Sequence, residues 1–554
     1  MNFKLLNQLL KDIYPNKIDF LNQEIEKLIR KYSSLINAEN KNLTHQDAIL
    51  ITYADAIYNT HEKSLHTLKQ FYDEYLKDCL SAVHLLPCFP FTSDDGFSVV
   101  DYYQINPEYG DWNSIEALNV SADLMFDAVI NHTSKSSEWF QKFAENISPY
   151  NDYFIRVNEN DDVSKVVRPR ALPLYHEYAQ LDKKVSLWTT FSEDQLDLNY
   201  KSPEVFIQFL DVLLFYISKG GRFIRLDAIA FLWKELGTTC IHLPETHAII
   251  QAYRLVIEHL APQAIIITET NVPHDENISY FGNGDNEAHM VYNFTLPPLL
   301  AYSIHNQSAT VFVNWAQSLA LKSNTNCFFN FTASHDGIGV RPLQGIVSND
   351  EIEALANKCL DHGGFVSYKN NEDGSKSPYE LNCNYFELLS HPEEELETRI
   401  RKFLLSQAIM LTMPGVPGVY YHSILGSENY IKGVEASGIN RRINREKLEY
   451  NTLKENLNNQ NSLRYKIYEN YSRLLKIRAN QPVFNPYGKA DYALENEILV
   501  ITRSFEGEKL TAYFNLTEKR LACRITKGVD LYSNTELNHE ELILEPWSFK
   551  WIKS

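Results

Sequence analysis

Eight short apolar runs recur along this chain, and their spacing constrains the fold more tightly than any other feature. They are Ala48 to Tyr53, Ala82 to Leu86, Leu124 to Ile130, Phe223 to Ile229, Ala264 to Thr270, Met290 to Phe294, Cys327 to Ala333 and Val416 to Tyr421. Parallel strands are buried on both faces, so they read as continuous apolar runs rather than alternating ones. Helix-like stretches such as Ser202 to Lys219 and Thr246 to Leu260 separate most of them. Eight strands alternating with helices predict an α/β fold, a (β/α)8 TIM barrel, and 554 residues leave room for insertions and a small appended module.

The predicted organisation is an N-terminal helical segment (1–47), a first part of the barrel (48–132), an inserted subdomain after strand 3 (133–200), the rest of the barrel (201–484) and a C-terminal β module (485–554). Leu21, Ile25, Leu28, Ile29 and Tyr32 fall on one helical face, so the N-terminal helix should dock on the barrel. Residues 131–222 and 334–415 are longer connections than a helix needs. Both leave the C-terminal end of a strand, where barrel active sites are built, and so are expected to form lids or subdomains. Within the second, Tyr368 to Pro378 is polar and rich in turn formers, which reads as a flexible loop. From about residue 485, alternating runs such as Ile498 to Arg503 and Lys509 to Phe514 predict strands of a β module.

The opening Met1 to Asp12 is amphipathic and reads as a helix rather than a secretory signal. Seven cysteines without CxxC spacing argue against both a disulfide framework and a zinc site, so a cytoplasmic location with reduced thiols is expected. A net charge of −19 disfavours nucleic acid or an anionic membrane as partner, and the chain is expected to be a monomer or homodimer. His242-Leu-Pro-Glu245-Thr-His247 contains a proline and lacks a matching third ligand, so no metal and no cofactor are expected.

Asp227 and Glu269 each end a β-branched run, Gly221-Arg-Phe-Ile-Arg-Leu-Asp227 and Ala264-Ile-Ile-Ile-Thr-Glu269. On neighbouring barrel strands they would share one cleft, as a retaining glycosidic mechanism requires of two carboxyl groups about 5 Å apart. Arg225 lies two residues before Asp227, on the same side of a strand, where its guanidinium can hold the carboxylate charged as a nucleophile. The apolar approach to Glu269 would raise its proton affinity toward that of a working acid. Taken singly, each has a plainer explanation: a structural ion pair for Arg225 and Asp227, a solvated strand end for Glu269. Asp127-Ala-Val-Ile-Asn-His132 and Ser334-His335-Asp336 end two further runs with groups able to hold sugar hydroxyls.

Taken in order, Asp127 to His132, Gly221 to Asp227, Ile267 to Glu269 and Phe331 to Asp336, with Gln195-Leu-Asp-Leu-Asn199 in the insertion, resemble the α-amylase family of glycoside hydrolases and transglycosidases from about residue 48 onward. The resemblance implies a nucleophile at Asp227, an acid/base at Glu269, a transition-state stabiliser at Asp336, and sugar ligands at His132, Arg225 and His335. Ile51 to Asp55, Val83 to Pro87, Asp95 to Tyr102 and Gly438 to Arg445 are similar to the sucrose phosphorylase branch. That similarity implies that Asp55 and an arginine of the last segment clamp the distal glucose hydroxyls, that His84 adds a hydrogen bond and that Phe97 stacks on the ring. The repeated Ile-Asn-Arg leaves the register open between Arg441 and Arg445, and Arg445 is preferred.

A phosphorylase needs cations to hold inorganic phosphate. Lys165, Arg168 and Arg170 in the first insertion and Arg341, Lys369 and Lys376 in or near the second are candidates, with Arg168 and Arg170 preferred because Pro169 stiffens their loop. Plain sucrose phosphorylases tend to carry an acid after the residue matching Arg441, whereas this chain has Arg442, which suggests an anionic leaving group such as fructose 6-phosphate or glycerate. The expected activity is phosphorolysis of a small α-glucoside (sucrose, sucrose 6-phosphate or glucosylglycerate) to α-glucose 1-phosphate. The alternative is a hydrolase or transglucosidase using the same acids.

Overall fold

The computed structural model describes residues 1–169, 172–319, 321, 323–370, 374–525, 527–539 and 541–554. All eight apolar runs are parallel strands: β1 (Ile49–Thr52), β2 (Ala82–Leu85), β3 (Asp123–Ala128), β4 (Gly221–Leu226), β5 (Ile265–Thr268), β6 (Met290–Tyr292), β7 (Cys327–Phe331) and β8 (Val416–Tyr420). They close a barrel in sequence order, β8 pairing back onto β1 through Ile49↔Gly418. Helices Pro203–Ser218 and Pro244–Leu260 carry proline in the first turn, where its fixed φ suits a helix start and its missing N–H costs no bond. The registers Asp127↔Arg225 and Leu226↔Thr268 set the ends of β3, β4 and β5 level, so the residues that follow reach a common mouth.

Two N-terminal helices, Phe3–Ile13 and Ile18–Tyr32, lie against the outside of the barrel. Leu6, Leu10, Leu21, Ile25 and Tyr32 are buried there, and the Tyr14 hydroxyl donates to the Tyr200 carbonyl at 2.7 Å. Between β3 and β4, His132–Ser134 pairs antiparallel with Gln195–Asp197, and a hairpin of Tyr175–Gln180 with Lys183–Trp188 packs on a small cluster of Val157, Leu174, Trp188 and Cys240. The stretch expected as a flexible loop is largely an antiparallel ladder of Phe365–Asn370 and Lys376–Asn382; residues 371–373 lie outside the described residues. Its polarity misleads because strand pairing orders it, while the same ladder carries Leu381 into the core and Glu380 to Arg441.

The C-terminal six-stranded sheet has a core of its own around Ile498, Val500, Tyr513 and Ile552. Arg478, 1% exposed, ties this module to the barrel: its guanidinium donates to the carbonyls of His45 (2.7 Å), Asp47 (3.2 Å), Gly415 (3.1 Å) and Phe484 (3.4 Å). One side chain thus satisfies groups before β1, before β8 and at the start of the module. Arg478→Met keeps the volume but leaves these acceptors buried and unpaired, at a cost of about 1–3 kcal/mol each where water cannot reach them. A clear fall in Tm by calorimetry is expected, and an unchanged Tm would refute this account of the junction.

Candidate active site

Strand β4 delivers Arg225 and Asp227 to one side, and β3 delivers Asp127 beside them. Arg225 Nη1 donates to Asp127 Oδ1 at 2.5 Å and to Asp227 Oδ1 at 2.8 Å, while Nη2 stands 3.8 Å from Glu269 Oε2. Glu269 Oε2 also accepts the Ala228 N–H at 3.1 Å. That N–H is presented because Ala228 is left-handed, at φ 50°, an uncommon conformation for a residue with a Cβ. Strained backbone of this kind persists where the surrounding structure fixes it, often at functional sites.

Burial raises the proton affinity of Asp227, and Arg225 opposes it without restoring an ordinary carboxylate, because the guanidinium is shared with Asp127. Burial likewise raises Glu269, with Arg225 opposing and Asp336 adding to the rise. Asp336 behaves differently. Burial would raise it, but Arg441 Nη1 at 2.5 Å, with His335 at 3.5 Å and Arg445 at 3.7 Å, holds it well below the usual range. Burial lowers His335 to about 3 and His132 to about 4, so both imidazoles are neutral at physiological pH.

A cavity of about 100 Å³ contains Asp227, Glu269, Asp336, His132, His335, Phe97 and Arg441. Phe97 stacks on His335 with centroids 4.8 Å apart. His132 Nε2 lies 3.0 Å from the Phe97 carbonyl oxygen and 3.2 Å from Gln195 Nε2. Arg225 sits beneath this cavity rather than in its wall. His84 is fully buried and meets Asp127 Oδ2 at 3.0 Å, so the structure places it behind the acids and not against the cavity.

Asp55 and Arg445, expected at the distal glucose hydroxyls, face a second cavity of about 30 Å³ together with Arg442 and Lys447. Asp55 pairs there with Lys447. The wall between the two cavities is the turn Asp94-Asp95-Gly96, with φ of 52°, 51° and 113°. Asp94 faces the acids, and Asp95 faces the other way, accepting from Arg442 at 2.5 Å and from Arg445 at 2.6 Å. The residues that meet the acids from the distal side are therefore Asp94 and Arg441. Arg442, expected near the acceptor, is diverted to this wall. Arg168 is exposed and Pro169 lines the cavity in its stead, while Arg170 lies outside the described residues.

Reasoning from sequence missed Asp94, Glu380, which holds Arg441 through two bonds of 3.0 and 2.6 Å, and the placement of Arg341 in the cavity wall. Asp94 had a signal: two acids before a Gly-aromatic pair mark a turn that sends neighbouring side chains to opposite faces. Glu380 had none, since its partner is 61 residues away.

Asn131 Oδ1 and Asp197 Oδ2 converge on the buried Lys234 ammonium at 2.8 and 2.5 Å, so an internal cation occupies that oxygen cluster. His242 and His247 turn to different acids, Glu276 at 3.1 Å and Glu287 at 2.7 Å. Among the described residues no helix is long and apolar enough to cross a membrane.

The raised Glu269 carboxyl links the site to stability. Its contribution is fully present below the ordinary glutamate range and is lost as pH rises through the raised folded value. Glu269→Gln removes that loss, so its Tm should exceed that of the parent at about pH 7.5 by on the order of 1 °C, with the gap closing near about pH 4. Calorimetry at both pH values checks this, and an equal or lower Tm at the higher pH refutes it.

Residues 67–341 match the model of the α-amylase catalytic domain. The chain is 44% identical to a glucosylglycerate phosphorylase of Escherichia coli (strain K12) over 98% of this chain and 99% of that one. It is 46% identical to a glucosylglycerate phosphorylase of Spirochaeta thermophila, over 91% and 86% respectively. In fold it resembles the crystal structure of sucrose 6F-phosphate phosphorylase from Thermoanaerobacter thermosaccharolyticum, with a TM-score of 0.76 at 22% identity, covering 91% of this chain and 99% of that one. The chain belongs to the α-amylase family and, within it, to the branch of the α-glucoside phosphorylases.

Proposed function

We propose that the protein is a retaining glucosylglycerate phosphorylase, converting the α-glucoside and inorganic phosphate to glycerate and α-glucose 1-phosphate. The observation that carries the chemistry is the unequal sharing of Arg225 between two buried acids, 2.8 Å from Asp227 and 3.8 Å from Glu269. Both acids gain proton affinity from burial, and the closer cation favours the ionised form at Asp227, so the proton resides on Glu269. Identity of 44–46% to two glucosylglycerate phosphorylases supports the leaving group.

Asp227 then attacks C1 from the β face, opposite the departing oxygen, as the C1–O bond to glycerate breaks, and Glu269 gives its proton to that oxygen, leaving a β-glucosyl ester on Asp227. In the second half, phosphate loses a proton to the Glu269 carboxylate and attacks C1, breaking the ester to Asp227. Two inversions retain the α configuration. Asp336 stays ionised throughout and faces the developing positive charge of the ring, where a fixed carboxylate lowers the barrier. Neutral His132 and His335, with Asp94, line the cavity where they can hold the hydroxyls without adding positive charge. The wall at Asp94-Asp95-Gly96 closes the distal end, which suits one terminal glucosyl unit and excludes a chain interior.

Incubation with glucosylglycerate and with sucrose, each with and without phosphate, tests the reading. α-Glucose 1-phosphate should form in a phosphate-dependent manner, fastest from glucosylglycerate. Free glucose released at the same rate without phosphate would instead make the enzyme a hydrolase. Asp227→Asn should abolish both products, and Glu269→Gln should slow glucosylglycerate turnover by about 10²–10⁴-fold. Because Glu269 must enter protonated, the alkaline limb of kcat/KM should fall above the ordinary glutamate range and vanish in Glu269→Gln.

A further inference from the structure

Both anions of the proposed reaction, the glycerate carboxylate and then phosphate, must sit on the open side of Glu269, and the lining of the cavity shows which charge can meet them. Past Glu269 the wall continues through Thr270, Asn271, Phe231, Pro169, Tyr379 and Arg341. Among the described residues lining the cavity, the cations are Arg341 and Arg441. Arg441 is committed, its guanidinium held by Asp336 at 2.5 Å and by both oxygens of Glu380. Arg341 Nη2 stands 3.8 Å from Glu276 Oε2, beyond hydrogen-bond reach, and Glu276 already meets His242 at 3.1 Å. The Arg341 side chain is 24% exposed, open enough for a ligand to approach and enclosed enough for the contact to escape full screening.

The backbone holds Arg341 firmly. Ile338 and Gly339 pair with Leu381 and Glu380, and the Val340 N–H donates to the Tyr379 carbonyl at 3.1 Å. Gly339 packs so closely on the loop after β5 that a Cβ there would lie 2.3 Å from Asn271 Nδ2. Arg341 is thus fixed five residues beyond Asp336, beside the loop that follows Glu269. Lys369 adds charge to this rim: burial lowers its ammonium, and the neighbouring Arg341 lowers it further.

We propose that Arg341 is the anion anchor of the acceptor half of the site, holding the glycerate carboxylate during glucosylation and the phosphate during release, with Glu276 as the counter-ion that these ligands displace. A planar guanidinium suits both, since carboxylate and phosphate each offer two oxygens at matching spacing. Shared use follows from the double displacement, in which the leaving group vacates the place that phosphate enters. The assignment rests on the proposed function, and the test separates the two.

Phosphorolysis of glucosylglycerate and of glucosylglycerol, its neutral analogue with CH2OH in place of the carboxylate, is compared in the parent enzyme, Arg341→Gln, Arg341→Lys and Glu276→Gln, with KM for phosphate measured in each. In Arg341→Gln the preference for glucosylglycerate should collapse by about 100-fold and KM for phosphate should rise by about 10-fold or more, and Arg341→Lys should fall between it and the parent. Glu276→Gln, by removing the competing carboxylate, should move KM for phosphate the other way. A preference that persists in folded Arg341→Gln overturns the anchor and leaves the proposed function standing. A parent enzyme with no preference for glucosylglycerate overturns the leaving-group assignment, and KM for phosphate then judges the anchor alone. Should Arg341→Gln fail to fold, Arg341→Lys and Glu276→Gln decide, and an unchanged KM for phosphate in both rejects the proposal.

Discussion

Arg225 is 2% exposed and carries one positive charge into a region with Asp127, Asp227 and Glu269 all within 4 Å of its nitrogens. Rings on either side, Phe97 at 5.6 Å and Tyr292 at 5.5 Å, keep water from it and favour the cation through their faces. Removing one member of such a buried set leaves an uncompensated charge, which costs more than the set contributes as a whole. Three adjacent strands must therefore keep their register for the site to exist, and the barrel supplies that register through ladder bonds rather than through the charges. His84 completes the arrangement from behind by meeting the second oxygen of Asp127. With Asp127 satisfied on both sides, the remaining proton affinity is concentrated on Asp227 and Glu269, which both line the cavity.

Asp336 depends on a longer chain of contacts. The ladder of residues 365–370 and 376–382 delivers Glu380, Glu380 fixes Arg441, and Arg441 depresses the Asp336 carboxyl. An insertion at the C-terminal end of β7 thus acts on the acid that closes the same strand. The distal wall is built in a similar way. The left-handed turn Asp94-Asp95-Gly96 splits two neighbouring carboxylates between two cavities, and the Arg442 and Arg445 bonds to Asp95 hold that split in place. Repeated basic residues in Arg441-Arg-Ile-Asn-Arg445 make sense in these terms, since Arg441 serves the acids, Arg442 the wall and Arg445 both.

What could be read from the sequence follows the range of the interactions involved. Barrel strands were legible because burial on both faces is written in consecutive residues, and Asp227, Glu269 and Asp336 because each sits one or a few positions past such a run. Leu21, Ile25 and Tyr32 were legible as a docking face for the same reason. Asp55 was misplaced because the end of a strand does not reveal which of two cavities its side chain faces, and Arg445 was preferred over Arg441 because the repeat hides the register. Residues 368–378 read as a loop since their partner strand and the Glu380 to Arg441 bonds are set by tertiary contacts. Arg341 looks like any surface charge until Gly339 is seen packed against Asn271.

Charge also orders the proposed reaction. Asp94, Asp227, Glu269, Asp336 and Glu380 all line the cavity, against Arg341 and Arg441. A phosphate dianion approaching the free enzyme meets an ionised Asp227, and at about 6 Å with an effective dielectric near 20 each unit of repulsion costs about 3 kcal/mol. Once the glucosyl ester has formed, Asp227 carries no charge and that repulsion disappears. Glu269, having given up its proton, is then anionic and takes one from the incoming phosphate, which makes the monoanion the easier species to admit. Glucosylation thus moves one negative charge from Asp227 to Glu269 without removing it, and phosphate neutralises that charge by delivering its proton to Glu269 as it attacks C1.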